Sequence, residues 1–296
     1  MEWIQAKQIL IKNKKPESWF GFDYTMNLYK GCCHGCIYCD SRSSCYRIDH
    51  FDTVRAKQNA IEILNRELRF KKDKGIVGMG SMSDPYNPFE NEIKLTHNSL
   101  KLLDYYGFGV GINTKSNQVI HDLDLLKSIH QKNVAVVNMT ITTADDELAK
   151  KIEPYAPVPS QRFEAVKACK KEGLIVGILM TPVLPFLTDS KENLLSIIQK
   201  AHDCHADYIL TYMGMTLREN QRDYYYQKLD EMFSGLSFQY KKVFNNRYHC
   251  ETPLWKENYA LFKKECEKYH ILYDMDDIVQ LIRQRKKPLE QLTLFE

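Results

Sequence analysis

The chain has 296 residues, 44% of them hydrophobic and 27% charged, and its 41 basic and 38 acidic side chains leave a net charge of +3. This composition excludes a disordered chain and a strong global field, so any contact with nucleic acid has to come from a local basic patch. Apolar runs fall short of the roughly 18 residues a membrane span needs, and the opening Met1-Glu2-Trp3-Ile4-Gln5-Ala6-Lys7 lacks the charged-then-apolar layout of a signal peptide, so a cytoplasmic location with no membrane partner is expected.

Short β-rich runs alternate with longer amphipathic stretches, the pattern of βαβ units around a parallel sheet. In chain order the strand candidates are 24–29, 75–80, 108–113, 134–141, 174–180 and 208–213, each followed by helix-forming sequence. Pro159-Ser160 opens a helix over 161–171 that Gly173 ends, and Asp189 or Ser190 can cap a helix over 191–204. Six such units imply an α/β fold, a curved and partly open (βα)6 barrel of the TIM type. After residue 216 polar, aromatic-rich helices take over at 218–232, 254–269 and 275–286. The expected organisation is therefore a core over 1–216, a helical extension over 217–287 and a tail over 288–296.

Nine cysteines in a chain without an export signal point to reduced thiols, and five of them (Cys32, Cys33, Cys36, Cys39, Cys45) fall in one short segment. The scattered Cys169, Cys204, Cys250 and Cys266 read as buried, inert thiols. Cys32-x3-Cys36-x2-Cys39 follows the first strand, and parallel barrels carry their reactive loops at the carboxyl ends of strands. Three thiolates on one tight loop can bind three irons of a 4Fe-4S cubane and leave the fourth open to a small molecule. Two other readings exist: Cys33, Cys36 and Cys39 as the start of a ferredoxin run, although position 43 is a serine, or a zinc site drawn from Cys32, His34, Cys36, Cys39 and Cys45.

The spacing resembles the CxxxCxxC signature of the radical S-adenosylmethionine (SAM) superfamily, and Tyr38 fits the aromatic that family carries before its last cysteine. The wider text Asn27-Leu28-Tyr29-Lys30-Gly31-Cys32-Cys33-His34-Gly35-Cys36-Ile37-Tyr38-Cys39 is similar to the spore photoproduct lyase-like group within it. So are Ser83-Asp84-Pro85-Tyr86-Asn87-Pro88-Phe89-Glu90, Asn113-Thr114-Lys115-Ser116, Thr140-Ile141-Thr142, Glu153-Pro154-x2-Pro157-x-Pro159-x2-Arg162 and Pro182-Val183-Leu184-Pro185. The resemblance covers about residues 20–215 and implies a 4Fe-4S cluster on Cys32, Cys36 and Cys39 with SAM on its open iron. It further implies an external one-electron donor such as flavodoxin or ferredoxin, and a 5′-deoxyadenosyl radical that takes hydrogen from substrate. Ser83 and Asp84 would approach the methionine or ribose part of SAM, Lys115 and Ser116 its carboxylate or ribose, and Thr140 and Thr142 its adenosine. The plainer reading of these residues is as strand-end caps and turn formers.

Two positions depart from the group. Ser81 stands where the lyase has the cysteine that returns a hydrogen atom to its product, and an O–H bond is too strong to serve that way. Asp40 follows the last cluster cysteine where many relatives have an aromatic.

The tail resembles the bacterial sliding-clamp-binding peptide through Gln291, Leu292, Leu294 and Phe295, set off from the last helix by Pro288. Its alternative role is to fold back over the barrel's open edge. Trp19, Phe20, Tyr86, Phe89 and Tyr224-Tyr225-Tyr226 could stack on bases or belong to the core. The expected function is a radical SAM enzyme acting on damaged or modified nucleic acid. The alternatives are radical modification of a protein, RNA or small molecule, and a non-catalytic iron–sulfur protein associated with DNA.

Overall fold

A computed structural model describes residues 1–285; the tail peptide with Gln291, Leu292, Leu294 and Phe295 lies outside the described residues. The strands are β1 (Glu2–Ile4), β2 (Leu10–Lys12), β3 (Tyr24–Met26), β4 (Tyr29–Lys30), β5 (Arg55–Lys57), β6 (Ile76–Met79), β7 (Gly109–Thr114), β8 (Ala135–Thr140), β9 (Ile175–Met180), β10 (Tyr208–Thr211), β11 (Gly214–Thr216) and β12 (His249–Glu251). The helices are α1 (Ala60–Arg69), α2 (Glu90–Ile93), α3 (Leu95–Tyr106), α4 (Leu123–Lys132), α5 (Asp146–Ile152), α6 (Pro159–Lys171), α7 (Lys191–Asp203), α8 (Gln221–Met232), α9 (Leu236–Phe244), α10 (Trp255–Lys268) and α11 (Met275–Arg285).

The main sheet runs β10-β9-β8-β7-β6-β3-β2. Its six parallel strands β3, β6, β7, β8, β9 and β10 are the six expected from the sequence, and β2 adds an antiparallel edge beside β3. The architecture is the expected partial (βα)6 barrel. Parallel strands buried on both faces become nearly continuous apolar runs, as in Ile175-Val176-Gly177-Ile178-Leu179-Met180, where every residue is buried.

Alternation divides each strand between two cores. Val77, Val110, Val137, Val176 and Ile178 point outward into one apolar cluster with Leu64, Leu100, Leu126, Phe163 and Ile197 of the surrounding helices. Inward, Ile76, Val136, Ile175 and Leu179 meet Phe20, Phe22 and Tyr208, and Ile278 and Ile282 of α11 join this inner cluster. Higher in the barrel the inner face turns polar. Asn138 Nδ2 donates to Asn113 Oδ1 at 2.8 Å, and the Tyr208 hydroxyl donates to Asn138 Oδ1. On β8 the inner positions thus run Val136, Asn138, Thr140, from dry floor to polar mouth.

Several elements carry no legible period: β1, β5 and β4, which form a separate three-stranded sheet, and the β11–β12 hairpin. Helix α9 also goes beyond the sequence expectation. The aromatics read as either base platforms or core residues divide. Phe20, Tyr86, Tyr225 and Tyr226 are buried core residues, whereas Trp19 is exposed. Cys169, Cys204, Cys250 and Cys266 are buried free thiols, as expected.

Glycines make room for the barrel's floor. A Cβ on Gly111 would fall 2.0 Å from Phe22 Cζ, and one on Gly177 would fall 1.9 Å from Tyr208 Cε2. Gly111→Ala should therefore destabilise the chain by about 1–3 kcal/mol through overpacking, measured by urea unfolding. In a Phe22→Leu background the same change should cost clearly less; strict additivity of the two losses would show that the ring is not what the new methyl meets.

Candidate functional site

The loop between β4 and the first turn after Cys39 carries the three cysteines. Gly35 stands at φ +71, and a Cβ there would come 2.7 Å from the Tyr155 ring, so a glycine lets the loop lie against the segment after α5. Main-chain bonds hold the loop in place: Cys32 N to Phe51 O at 2.9 Å, Ile37 N to Ile152 O at 3.0 Å and Tyr155 N to His34 O at 3.1 Å. Cys36, Ile37 and Tyr38 also pack into an apolar cluster with Leu184, Met215, Tyr225, Tyr240 and Phe244. The carboxy-terminal helices α8 and α9 thus back the cysteine loop, a role their periodicity did not reveal.

Burial raises the pKa of all three thiols, Cys36 to about 12, while nearby Lys115 pulls Cys36 and Cys39 the other way. Sulfurs kept this far from water stay protonated unless a cation takes the proton's place, and cluster iron is such a cation. Among the described residues no three or more His, Cys, Asp or Glu side chains gather around one ion-sized point. A cubane does not require that, since each sulfur takes a different iron. The donor set therefore fits a 4Fe-4S cluster held by Cys32, Cys36 and Cys39.

Two buried carboxylates tie this loop to the barrel. The Tyr38 hydroxyl donates to Glu153, and Glu153 Oε2 lies 2.5 Å from Arg162 Nη2 with both side chains almost wholly buried. Arg162 continues to Pro157 O at 2.6 Å and to Thr140 O, at the end of β8, at 3.0 Å. Thr142 Oγ1 is 3.4 Å from Glu153 Oε1. Burial opposes the charge on Glu153, but Arg162, Lys115 and the Tyr38 hydroxyl outweigh it and lower its pKa.

Asp84 is the second tie. Its Oδ1 accepts from Thr114 Oγ1 at 2.6 Å and Tyr86 N at 2.9 Å, and its Oδ2 accepts from Lys115 N at 2.8 Å. His34 Nε2 of the cysteine loop lies 3.1 Å from the same Oδ2. Burial works against ionisation, yet the contacts with His34, Lys115 N and Thr114 win and hold the carboxyl at about 2. Gly80, at φ +87, makes the approach to β7 feasible, because a Cβ there would sit 2.0 Å from Asn113 O.

The structure thus gathers most of the residues singled out in the sequence, in different states of engagement. Ser83 Oγ donates to Tyr29 O at 2.9 Å. Ser116 Oγ caps the short helix after it by accepting from Gln118 N at 3.3 Å. Both oxygens of Asp84 are occupied within the protein, and the Thr140 carbonyl is taken by Arg162. Lys115 is different: its Nζ lies over the Tyr38 ring, 5.6 Å from the centroid, and Cys36 and Glu153 raise its pKa against the effect of burial. Sequence reasoning named His34 only as a possible zinc ligand, and it quoted Thr114, Glu153 and Arg162 within motifs without a role. For Glu153 and Arg162 the one signal was their place at the two ends of a proline-rich motif.

A third carboxylate, Asp40, links the loop to the carboxy-terminal hairpin. It accepts from the Tyr46 hydroxyl at 2.9 Å and Thr216 Oγ1 at 3.1 Å, and Arg218 Nε lies 3.0 Å away. An aromatic at this position could not make these contacts. Gln221 Nε2 at the start of α8 donates to Tyr38 O at 3.0 Å.

Fold and site define a parallel (βα) barrel with a three-cysteine loop at the carboxyl ends of its strands. Residues 26–198 match the Radical SAM superfamily, and the chain belongs to that family. The cofactors of the family are a 4Fe-4S cluster and SAM. Among curated relatives, the uncharacterized protein Rv2578c of Mycobacterium tuberculosis is 30% identical over 252 residues, which is 81% of this chain and 74% of the relative. The uncharacterized protein MJ0683 of Methanocaldococcus jannaschii is 33% identical over 189 residues, 63% of this chain and 68% of the relative. Among solved structures, a spore photoproduct lyase mutant with bound AdoMet and dinucleoside spore photoproduct superposes with a TM-score of 0.64 at 15% identity, over 90% of this chain and 78% of that one. The radical SAM methyltransferase TsrM of Kitasatospora setae, with tryptophan and a SAM analogue bound, gives 0.58 at 10% identity, over 89% of this chain and 59% of that one. No helix among the described residues is long and apolar enough to cross a membrane.

Arg162→Met should leave Glu153 buried without its direct ion-pair partner and cost about 3–5 kcal/mol, read by urea unfolding of cluster-free protein. The Asp84 carboxyl lies below its ordinary 3.8, so its contribution, about 2 kcal/mol, is complete above pH 4 and is lost as pH falls from about 4 to 2. Asp84→Asn should flatten the acid limb of stability in that window; an unchanged limb would show that Asp84 is not ionised in the fold.

Proposed function

We propose that this chain is a radical SAM enzyme that cleaves SAM reductively at a cluster on Cys32, Cys36 and Cys39 and acts on damaged or modified nucleic acid. The observation that carries the first half is the three-cysteine loop at the mouth of a radical SAM barrel, with Cys36 buried and Cys32 and Cys39 partly buried. A cluster held by these cysteines and reduced by an external donor such as flavodoxin or ferredoxin would supply the one electron that cleaves SAM to methionine and a 5′-deoxyadenosyl radical. The chain's own residues bind, orient and exclude water. In this reading Lys115, with its ammonium beside Cys36, Cys39 and Tyr38, receives the carboxylate of SAM. Thr140 and Thr142 line the adenosine side. Ser83, Asp84 and Ser116 shape the walls of the pocket through their internal bonds, and Tyr38 closes the inner side against Glu153.

Support for nucleic acid as substrate comes from the spore photoproduct lyase structures, which share the fold and hold a dinucleoside spore photoproduct. Ser81 stands two residues past β6, and because a serine O–H bond is too strong to give up its hydrogen, in this reading the donor and the reaction differ from those of the lyase. We assign 1–216 as the catalytic core and 217–287 as the extension that backs the cysteine loop. For 288–296 we propose sliding-clamp binding through Gln291, Leu292, Leu294 and Phe295, which would bring the enzyme to replicating DNA.

Anaerobic reconstitution, dithionite and SAM should yield 5′-deoxyadenosine and methionine from the wild type, and neither from Cys36→Ala. Lack of turnover by fully loaded wild-type protein would favour a structural cluster. Removal of residues 291–296 should abolish binding to a purified sliding clamp by at least 100-fold at unchanged iron content. Equal binding by the truncated chain would dismiss the clamp assignment.

A further inference from the structure

Three cations share one face of the small sheet beside the cysteine loop. In the antiparallel pairing of β4 with β5, Lys30 stands opposite Arg55. Lys57, two residues further along β5, lies on the same face because side chains alternate. The parallel pairing of β1 with β5 adds Glu2 opposite Arg55 and Ile4 opposite Lys57, so Glu2 is the one acidic residue these strands place there. Lys57 Nζ donates to Asn27 O at 2.6 Å, at the carboxyl end of β3. Arg55 Nη2 donates to Asp49 O and, at 3.4 Å, to His50 O.

None of the three cations forms an ion pair with a carboxylate among the described residues. Arg55 Nε and Asn27 Oδ1 are buried without a hydrogen-bond partner. All three basic residues are partly buried, where like charges repel more strongly than in open water. A chain with nearly equal numbers of acids and bases could have answered these charges locally. Instead it leaves them without an ion pair, and Lys30 stands one residue from the cysteine loop, with only Gly31 between it and Cys32.

We infer that Lys30, Arg55 and Lys57 receive the phosphodiester backbone of the substrate strand and hold it beside the cluster mouth. The inference rests on the nucleic-acid reading above. It also supplies the local patch that a net charge of +3 demands for such a substrate. The recessed position favours a phosphate over the acidic surface of a redox protein: Lys57 Nζ is anchored to a main-chain oxygen, and a projecting oxyanion reaches it where a flat row of carboxylates does not. Contacts of this kind fix position without reading sequence.

The test is binding of the cluster-loaded full chain to fluorescein-labelled single-stranded and duplex oligonucleotides across a salt series. Lys30→Gln/Lys57→Gln should bind at least 10-fold more weakly at low salt, and its plot of log affinity against log salt should be shallower by about 1.4–1.8, two phosphate contacts' worth. Lys30→Gln alone should lose about half of that slope, which keeps the test open if the double variant folds poorly. Iron content and thermal midpoint report folding. A charge-matched control, Lys72→Gln/Lys171→Gln, removes two exposed lysines at the amino-terminal ends of β6 and β9, the opposite end of the barrel, and should leave affinity and slope as they are. Wild-type binding with the same affinity and slope in the double variant overturns the inference and leaves the proposed function standing. A wild type that binds neither oligonucleotide overturns both. Slower reduction of the double variant by a flavoprotein donor, with no nucleic-acid binding by wild type, would reassign the face to an acidic redox partner.

Discussion

The buried pair of Glu153 and Arg162 is the constraint on which the site depends. Neither charge can leave for water, and the two side chains are in direct contact with each other, so the segments that carry them are locked together. Arg162 rises from α6 and reaches the end of β8 through Thr140 O, while Glu153 at the end of α5 accepts from Tyr38 of the cysteine loop. A loop that has to present three sulfurs at fixed places is thereby referenced to the rigid sheet. Buried ion pairs are weak contributors to net stability against an apolar substitute, but they penalise every arrangement that separates them. For a site that must hold a reactive cofactor in register, that penalty is the useful property.

Asp84 and Asp40 extend the same device in two directions. Asp84 joins the loop, through His34, to the ends of β6 and β7, and Asp40 joins it to the hairpin of β11 and β12 through Thr216 and Arg218. Each carboxylate collects several donors from different elements, which satisfies the buried oxygens and fixes the relative placement of the elements at once. The carboxy-terminal region takes part on both sides: α8 and α9 pack behind Cys36 and Tyr38, and α11 sends Ile278 and Ile282 into the barrel's floor. Lys115 stands apart from these ties. Its ammonium lies over the Tyr38 ring, near Cys36, Cys39 and Glu153, and among the described residues it forms no ion pair with a carboxylate.

Much of this was legible in the chain. The six parallel strands announce themselves as apolar runs because both of their faces are buried, and the helices announce themselves by their period and by caps such as Pro159 and Ser190. The cysteine spacing is equally local, since the three sulfurs must come from one short loop. The small sheet of β1, β5 and β4 was hidden for the opposite reason: strands of two or three residues are too short to show alternation, and their pairing joins the amino terminus to residue 55. The aromatics left two readings open, and Phe20 and Tyr225 are placed by the cores they fill and not by the chemistry their rings could offer.

The sequence by itself determined the barrel and singled out the three-cysteine loop, because hydrophobic period and loop spacing act over a few residues and need no knowledge of what lies across the fold. Only the tertiary structure decided the partners of the charged residues: Tyr38 with Glu153, Glu153 with Arg162, His34 with Asp84, and the shared face of Lys30, Arg55 and Lys57. Charges act through space, and in a folded chain distances in space bear no fixed relation to distances along it.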